Sequence, residues 1–193
     1  MTRDRSFIDW LIGFARRRET DPNARAALAI LRRGLGKELG TAPEMYPYVV
    51  PFLQGTKDEP AVRDDREEGR YYLIASLFAL HASSLVPPSD PPRNLGASFY
   101  LLHRAIPDRD RGQSMDRRFT ALLACDGDAL TTQLRYAVQL LADIPIDWYA
   151  LFDDIRRWEY QRNPVQRAWA RAYYRDRPDV AAISDPKFET EIP

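Results

Sequence analysis

Apolar residues along this chain recur three and four positions apart, segment after segment, and a capping residue or a proline closes off each segment. No stretch sustains the period-two alternation of a half-buried strand, so the chain reads as all-α, with eight or nine helices. Ser6 is placed to cap a first helix with Phe7, Trp10, Leu11 and Phe14 on one face and Arg16, Arg17 and Arg18 in its last turn. Asp21-Pro22 opens a second, which carries Leu28 and Leu31 and ends at Gly34 just after Arg32 and Arg33.

Prolines then divide the chain. Three of them within residues 41–54 exclude a long helix and favour an irregular wall with Tyr46, Tyr48 and Phe52 turned inward. A long apolar helix follows the acidic stretch 58–68. Four prolines in residues 86–93 read as a stiff link. The expectation is two small helical bundles, residues 1–86 and 94–193, joined by a Pro-rich linker at 87–93. In the second half, residues 94–106 form one helix and stop before Pro107. Ser114 is read as the cap of a helix burying Met115, Phe119, Leu122 and Leu123, and Asp128 as the cap of one burying Leu130, Leu134, Val138 and Leu141. Asp147, with Ile146 and Leu151 as a hydrophobic staple, opens a helix through Trp158. Asn163-Pro164 opens the last, and Pro178 closes it.

Size and composition narrow the function. A chain of 193 residues buries about 70% of its extended surface on folding and needs no staple. Cys125 is its one cysteine, so no internal disulfide forms, and residues 1–20 lack an apolar signal core; both point to the cytoplasm. The longest apolar run, near residues 71–86, is too interrupted and too short for a bilayer, so no membrane partner is expected. Arginine outnumbers lysine twenty-five to three although the formal net charge is zero. A GC-rich genome accounts for that preference, but not for the clusters at Arg16 to Arg18, Arg32-Arg33 and Arg117-Arg118, with Arg135 beside Leu134. A guanidinium stays charged and offers a planar fork that matches phosphate oxygens. A neutral chain with local basic faces suits a subunit that meets nucleic acid inside a larger assembly.

Catalytic and metal signals are sparse. His81 and His103 stand twenty-two residues apart on separate apolar helices, and no Cys-x-x-Cys or His-x-x-x-His spacing occurs, so no metal and no cofactor are expected. His103 reads as a core histidine, although Arg104 beside it could meet a phosphate. Cys125 reads as packing. The rival enzymatic reading is a helical metal-dependent nuclease built on Asp153, Asp154 and Glu159; adjacent carboxylates on a helix diverge by about 100°, which does not suit converging metal ligands. Trp10, Trp148, Trp158 and Trp169 fall on apolar faces and read as core, not as base-stacking platforms. A third reading is a protein-only adaptor whose arginines pair with acidic partners.

Several segments together are similar to a known family. Trp10, Ile30-Leu-Arg-Arg-Gly-Leu-Gly36, Tyr46-Pro-Tyr-Val-Val-Pro-Phe52, Leu77-Phe-Ala-Leu-His81 and Asn94-Leu-Gly96 are followed by Asp116-Arg-Arg-Phe-Thr-Ala-Leu-Leu123, Leu134-Arg-Tyr-Ala-Val138 and Ile146-Asp-Trp148 through Trp158. In order and spacing they resemble the CasB family, the small subunit of the type I-E CRISPR surveillance complex, Cascade. The resemblance implies an all-helical, non-catalytic protein present as two copies beside the backbone and large subunits. It also implies contacts to the backbones of CRISPR RNA, target DNA and the displaced strand. By position it assigns Arg32, Arg33, Arg117, Arg118 and Arg135 to those contacts; Arg16, Arg17, Arg18 and Arg104 match no family segment and are added from their place in the sequence. The chain departs from the pattern at Phe99-Tyr100, where relatives are expected to place a basic residue.

Overall fold

The computed structural model describes residues 2–82, 93–106 and 109–175. The expected link at 87–93, apart from Arg93, lies outside them, as do Pro107, Pro178 and the side chain of Asp128. Among the described residues all regular structure is helical: α1 (Arg3–Arg17), α2 (Pro22–Arg33), a 3₁₀ turn (Pro43–Met45), α3 (Tyr46–Leu53), α4 (Asp65–Leu80), α5 (Leu95–Ala105), α6 (Arg109–Ala124), α7 (Gly127–Leu140), α8 (Trp148–Arg157) and α9 (Pro164–Tyr173).

Four of the nine α-helices among the described residues, α2, α4, α5 and α8, are capped by a local side chain. Asp21 accepts from the Asn23 amide at 2.8 Å with Pro22 as the first helical residue, Asp64 accepts from Glu67 N at 2.8 Å, and Asn94 accepts from Ala97 N at 3.1 Å. Three starts differ from the expectation; the first is α7, which begins at Gly127 after Asp126, so that residue 128 lies inside the helix and does not cap it. Helix α1 begins at Arg3, and Ser6 lies inside it with its hydroxyl on the Thr2 carbonyl. The first amide finds a distant partner instead, because Arg3 N donates to the Glu59 carboxylate at 3.1 Å, and a tertiary contact replaces the local cap. Helix α6 likewise starts at Arg109, five residues ahead of Ser114, which is exposed within the helix. Its early turns lean on α5: a Cβ on buried Gly112 would lie 3.1 Å from His103 Nε2.

The proline-rich segment is also more regular than expected. Residues Tyr46–Leu53 make two turns of helix, with Pro47 in the first turn, where a missing N–H costs nothing, and Pro51 further along. Tyr48 and Phe52 do pack inward, Phe52 standing 5.0 Å from Phe7 and 5.1 Å from Trp10 between ring centroids. Tyr46 does not; it is 40% exposed.

Helix α8 couples the two halves of the chain. Asp147 caps it, accepting from Ala150 N at 3.1 Å and from Arg93 N at 3.3 Å, while Ile146 and Leu151 are both buried as a staple. Replacing Asp147 by Ala is expected to cost about 1–2 kcal/mol, read as a lower urea midpoint with an unchanged denaturant slope. From this start α8 packs on α1 and α4, and α7 packs on α4 as well. At its far end Arg156 reaches Asp4 at 2.5 Å and Glu67 at 3.0 Å. The Tyr71 hydroxyl also donates to Asp4, and burial followed by that carboxylate pushes its pKa well above the ordinary phenol value.

Helix α4 is the central element, buried on every side from Tyr71 to Ala79. The buried hydrophobic residues of all nine α-helices and the 3₁₀ turn among the described residues form one continuous cluster. The division into residues 1–86 and 94–193 is kept as a proposal about chain organisation, with the core running across it.

Candidate nucleic-acid interface

Two glycines set how closely the basic helix ends approach the rest of the molecule. Gly34 has φ −66, so it serves space, not a left-handed turn. A Cβ there would sit 2.6 Å from Ser76 Oγ and against Met45 Sδ, so the end of α2 lies directly on α4. Two residues on, Gly36 takes φ +85 and turns the chain so that its backbone meets Arg135 of α7; Arg135 Nη1 is 3.2 Å from where a Cβ would stand. The loop after Arg32-Arg33 and the middle of α7 are thereby brought together.

They share a cleft of about 710 Å³. Arg135, Lys37, Arg66 and Arg70 line it, along with Thr131 and Thr132 from the first turns of α7 and the acids Glu38, Asp65 and Glu159. Arg135 Nε is buried and has no hydrogen-bond partner among the described residues. Such a donor costs free energy until a ligand or water accepts from it. Across α7, Arg118 lines a second, smaller hollow of about 300 Å³ together with Phe99, Leu122, Gln133, Tyr136, Ala137 and Leu140. Tyr136 stands in the wall of both hollows, so Arg118 and Arg135 belong to one continuous stretch of surface.

The nine arginines nominated from sequence separate by their partners. Among the described residues, Arg16, Arg33, Arg117, Arg118 and Arg135 form no ion pair. Arg33 lies near enough to Glu44 to help hold that carboxyl below its ordinary pKa, an effect led by the Lys37–Glu44 hydrogen bond of 2.6 Å. Arg32 is engaged differently: Nε and Nη2 donate to the Ala79 carbonyl at 3.1 and 2.9 Å, which satisfies an acceptor left open at the end of α4. Arg17 pairs with Asp21 at 3.8 Å and Arg18 with Glu19 at 3.5 Å. Arg104 lies along Tyr100, whose ring Arg175 covers at 4.4 Å. Neither the α1 end nor the Tyr100 corner lines either hollow.

The arginines not nominated divide as well, and Arg5, Arg63, Arg70, Arg162, Arg167 and Arg171 form no ion pair among the described residues. Arg3, Arg66, Arg156 and Arg157 all pair with carboxylates: Glu59, Glu159, Asp4 with Glu67, and Asp153 with Asp154. Sequence reasoning missed Lys37, Arg66 and Arg70 as lining residues of the cleft, because they meet α7 only in the fold, Lys37 through the turn at Gly36 and the other two through the packing of α4 on α7. It also missed Tyr136, for which a signal existed. On α7 the buried positions are Leu130, Leu134, Ala137 and Val138, followed by the C-cap Leu141, and residue 136 lies about 200° from residue 134 around the helix, facing solvent.

The same geometry bears on the rival nuclease reading. Asp154 is buried and accepts from Trp169 Nε1 at 2.6 Å and from Arg157 Nη2 at 3.1 Å. Burial raises its carboxyl pKa, while the Trp169 hydrogen bond and Arg157 oppose the rise. Asp153 shares Arg157 with Asp154 and Glu159 holds Arg66, so all three acids are already engaged in structural contacts. No group of three or more His, Cys, Asp or Glu side chains among the described residues is placed to hold a metal ion. His81 is buried with Nε2 on the Leu141 carbonyl at 2.7 Å. Cys125 Sγ donates to the Leu122 carbonyl, and burial pushes its thiol pKa up, away from the reactive thiolate. No helix among the described residues is long and apolar enough to cross a membrane.

What this defines is a class: an all-helical protein with a folded core and a local arginine surface, with Asp153, Asp154 and Glu159 engaged in structural contacts. The chain belongs to the CRISPR-associated Cse2 family, whose model matches residues 27–174. A CRISPR-associated Cse2 protein of Thermus thermophilus is 37% identical over 171 residues, 87% of this chain and 88% of the relative. The crystal structure of CasB from Thermus thermophilus superposes with a TM-score of 0.68 at 33% identity, covering 90% of this chain and 99% of that one. A chain of a solved CRISPR RNA-guided surveillance complex shares the fold, with a TM-score of 0.62 at 21% identity over 93% of this chain and 98% of that one. The CasB resemblance expected from the ordered segments is thereby borne out.

Proposed function

We propose that this chain is the small, non-catalytic subunit of a type I-E Cascade complex in the cytoplasm. Its arginine surface holds the backbones of CRISPR RNA, target DNA and the displaced strand without reading sequence. A second copy of itself and the backbone and large subunits are its protein neighbours. One observation carries the reading: Arg118 and Arg135, neither with a carboxylate partner among the described residues, line neighbouring hollows that share Tyr136 in their walls. Family membership and the shared fold with a chain of an RNA-guided surveillance complex support the same assembly. Exchanging a DNA duplex for an RNA–DNA hybrid is nearly balanced in energy, so charge contacts along strand backbones are enough to decide how long the open state lasts.

The nine arginines do not share the task equally. Arg33, Arg117, Arg118 and Arg135 are the principal contacts, and Arg16 is an outlying one. Arg32 contributes while bound to Ala79, and Arg17, Arg18 and Arg104 contribute least because each already has an internal partner.

The test is charge reversal in the assembled complex. Arg117→Glu with Arg118→Glu is expected to lower target-DNA affinity at least tenfold. Against single strands it should flatten the slope of log affinity against log salt by about 1.4, or about 0.7 per lost contact. Both side chains are exposed, so the thermal midpoint of the free subunit should stay put. Affinity and salt slope equal to wild type would overturn the reading. A protein-only adaptor predicts that result.

A further inference from the structure

Tyr136 is 58% exposed, on the solvent side of α7, between two arginines that hold no carboxylate among the described residues. A large aromatic ring left open in this way costs burial energy that the core could have used. The hollow beside it is small and mostly apolar. Phe99 and Leu122 form its floor, Ala137 and Leu140 one side, and the amide of Gln133 and the guanidinium of Arg118 its polar points.

We infer that this hollow seats one unpaired nucleobase of a single strand, stacked on Tyr136, with the flanking phosphates on Arg118 and Arg135. The inference rests on the phosphate-binding reading above and adds a base to it. Size agrees: about 300 Å³ stands at the low end of small-molecule sites, which suits one heteroaromatic ring and excludes a larger ligand. Chemistry agrees as well. No carboxylate lines the hollow, so an anionic chain approaches without repulsion, and the apolar floor takes a ring face while Gln133 offers a donor and an acceptor to a base edge. An apolar protein side chain would fill the floor but leave Arg118 and Gln133 without work. A base inside a duplex cannot reach the floor, so the surface must favour single strands over duplex.

The full-length chain is titrated with three labelled probes of equal length: oligothymidine, the same backbone carrying abasic sites, and a duplex. Wild type is expected to bind oligothymidine about tenfold more tightly than the abasic strand, within the range measured for stacking one base on an aromatic side chain. Tyr136→Ala should remove that difference, Tyr136→Phe should keep it, and 2-aminopurine in the strand should lose fluorescence on binding wild type but not the Ala variant. Arg118→Glu should weaken all three probes.

Three results would overturn the inference. Equal affinity of wild type for thymidine and abasic strands does so, as does a Tyr136→Ala variant with unchanged preference. If charge reversal still weakens binding in either case, the phosphate reading survives alone; if no probe responds to charge reversal, both readings fall. The third result is a Tyr136→Ala variant that binds every probe like wild type but no longer enters the assembled complex, which would make the hollow a seat for protein.

Discussion

Gly96→Ala is expected to destabilise this protein by about 3 kcal/mol, although alanine is the better helix former. Gly96 lies in the first turn of α5, against Trp169 of α9. A Cβ at Gly96 would stand 2.7 Å from both the carbonyl carbon and the Cα of Trp169, and closer still to the carbonyl oxygen. Those are backbone atoms and cannot rotate away, so the two helices must separate. Propensity alone favours Ala in a helix by up to about 1 kcal/mol, and overpacking of a tight contact costs about 1–3 kcal/mol or more. Here the second effect wins because the obstacle is main chain. For a domain of this size the thermal midpoint should fall by about 6–12 °C, followed by far-ultraviolet circular dichroism. A midpoint at or above wild type would mean that α5 and α9 do not cross at this distance.

Trp169→Ala has the second large effect, a loss of about 3–5 kcal/mol from a fully buried indole. Trp169 fills space against Trp158, with ring centroids 4.9 Å apart, and it hydrogen-bonds Asp154. Trp169→Phe separates those two roles: it keeps most of the volume and leaves the buried carboxylate without its indole donor, at about 1–3 kcal/mol. The pH dependence has a definite sign. Burial raises the Asp154 pKa in the folded state, so the folded protein holds this proton more tightly than the unfolded chain does. This residue therefore costs stability at neutral pH, and the cost disappears as pH falls through the raised pKa. Removing the indole takes away an influence that lowers that pKa, so the gap between Trp169→Phe and wild type should be widest at neutral pH and narrow in acid. Urea unfolding across that range measures it; a gap that widens toward acid would contradict the assignment. The same pair explains why Asp154 suits a structural role better than a catalytic one, since its two oxygens already accept from Trp169 and Arg157.

Helix positions were legible wherever the determinant was local. Asp21-Pro22, Asn94 and Asp147 announce their helices because a side-chain oxygen two or three residues away satisfies an open amide. Ser6 and Ser114 misled for the complementary reason. The α1 amide was answered by Glu59, fifty-six residues away, and α6 gained its early turns by lying against α5. Proline counting ruled out a long helix over residues 41–54 but could not reveal that two prolines fit a two-turn one, with Tyr46 left outside.

The site was legible as a list of residue types and not as a surface. Arginine clusters stand out in any reading of the chain, and the family segments ranked five of them. Which guanidiniums remain available depends on neighbours far away in sequence, such as the Ala79 carbonyl that holds Arg32. Tyr136 was overlooked because aromatic residues in an amphipathic chain are expected to be core, and the four tryptophans fit that expectation.

Sequence alone therefore determined the all-helical architecture, the family and the local clustering of fixed positive charge, because periodicity, caps and guanidinium chemistry act within a few residues of the chain. Tertiary structure alone decided which arginines are tied down, that Gly36 brings the α2 loop to Arg135, and that Tyr136 faces outward beside two hollows. Ion pairs and close backbone approaches act over a few ångströms of space, and residues fifty or a hundred positions apart come within that distance only when the core has packed.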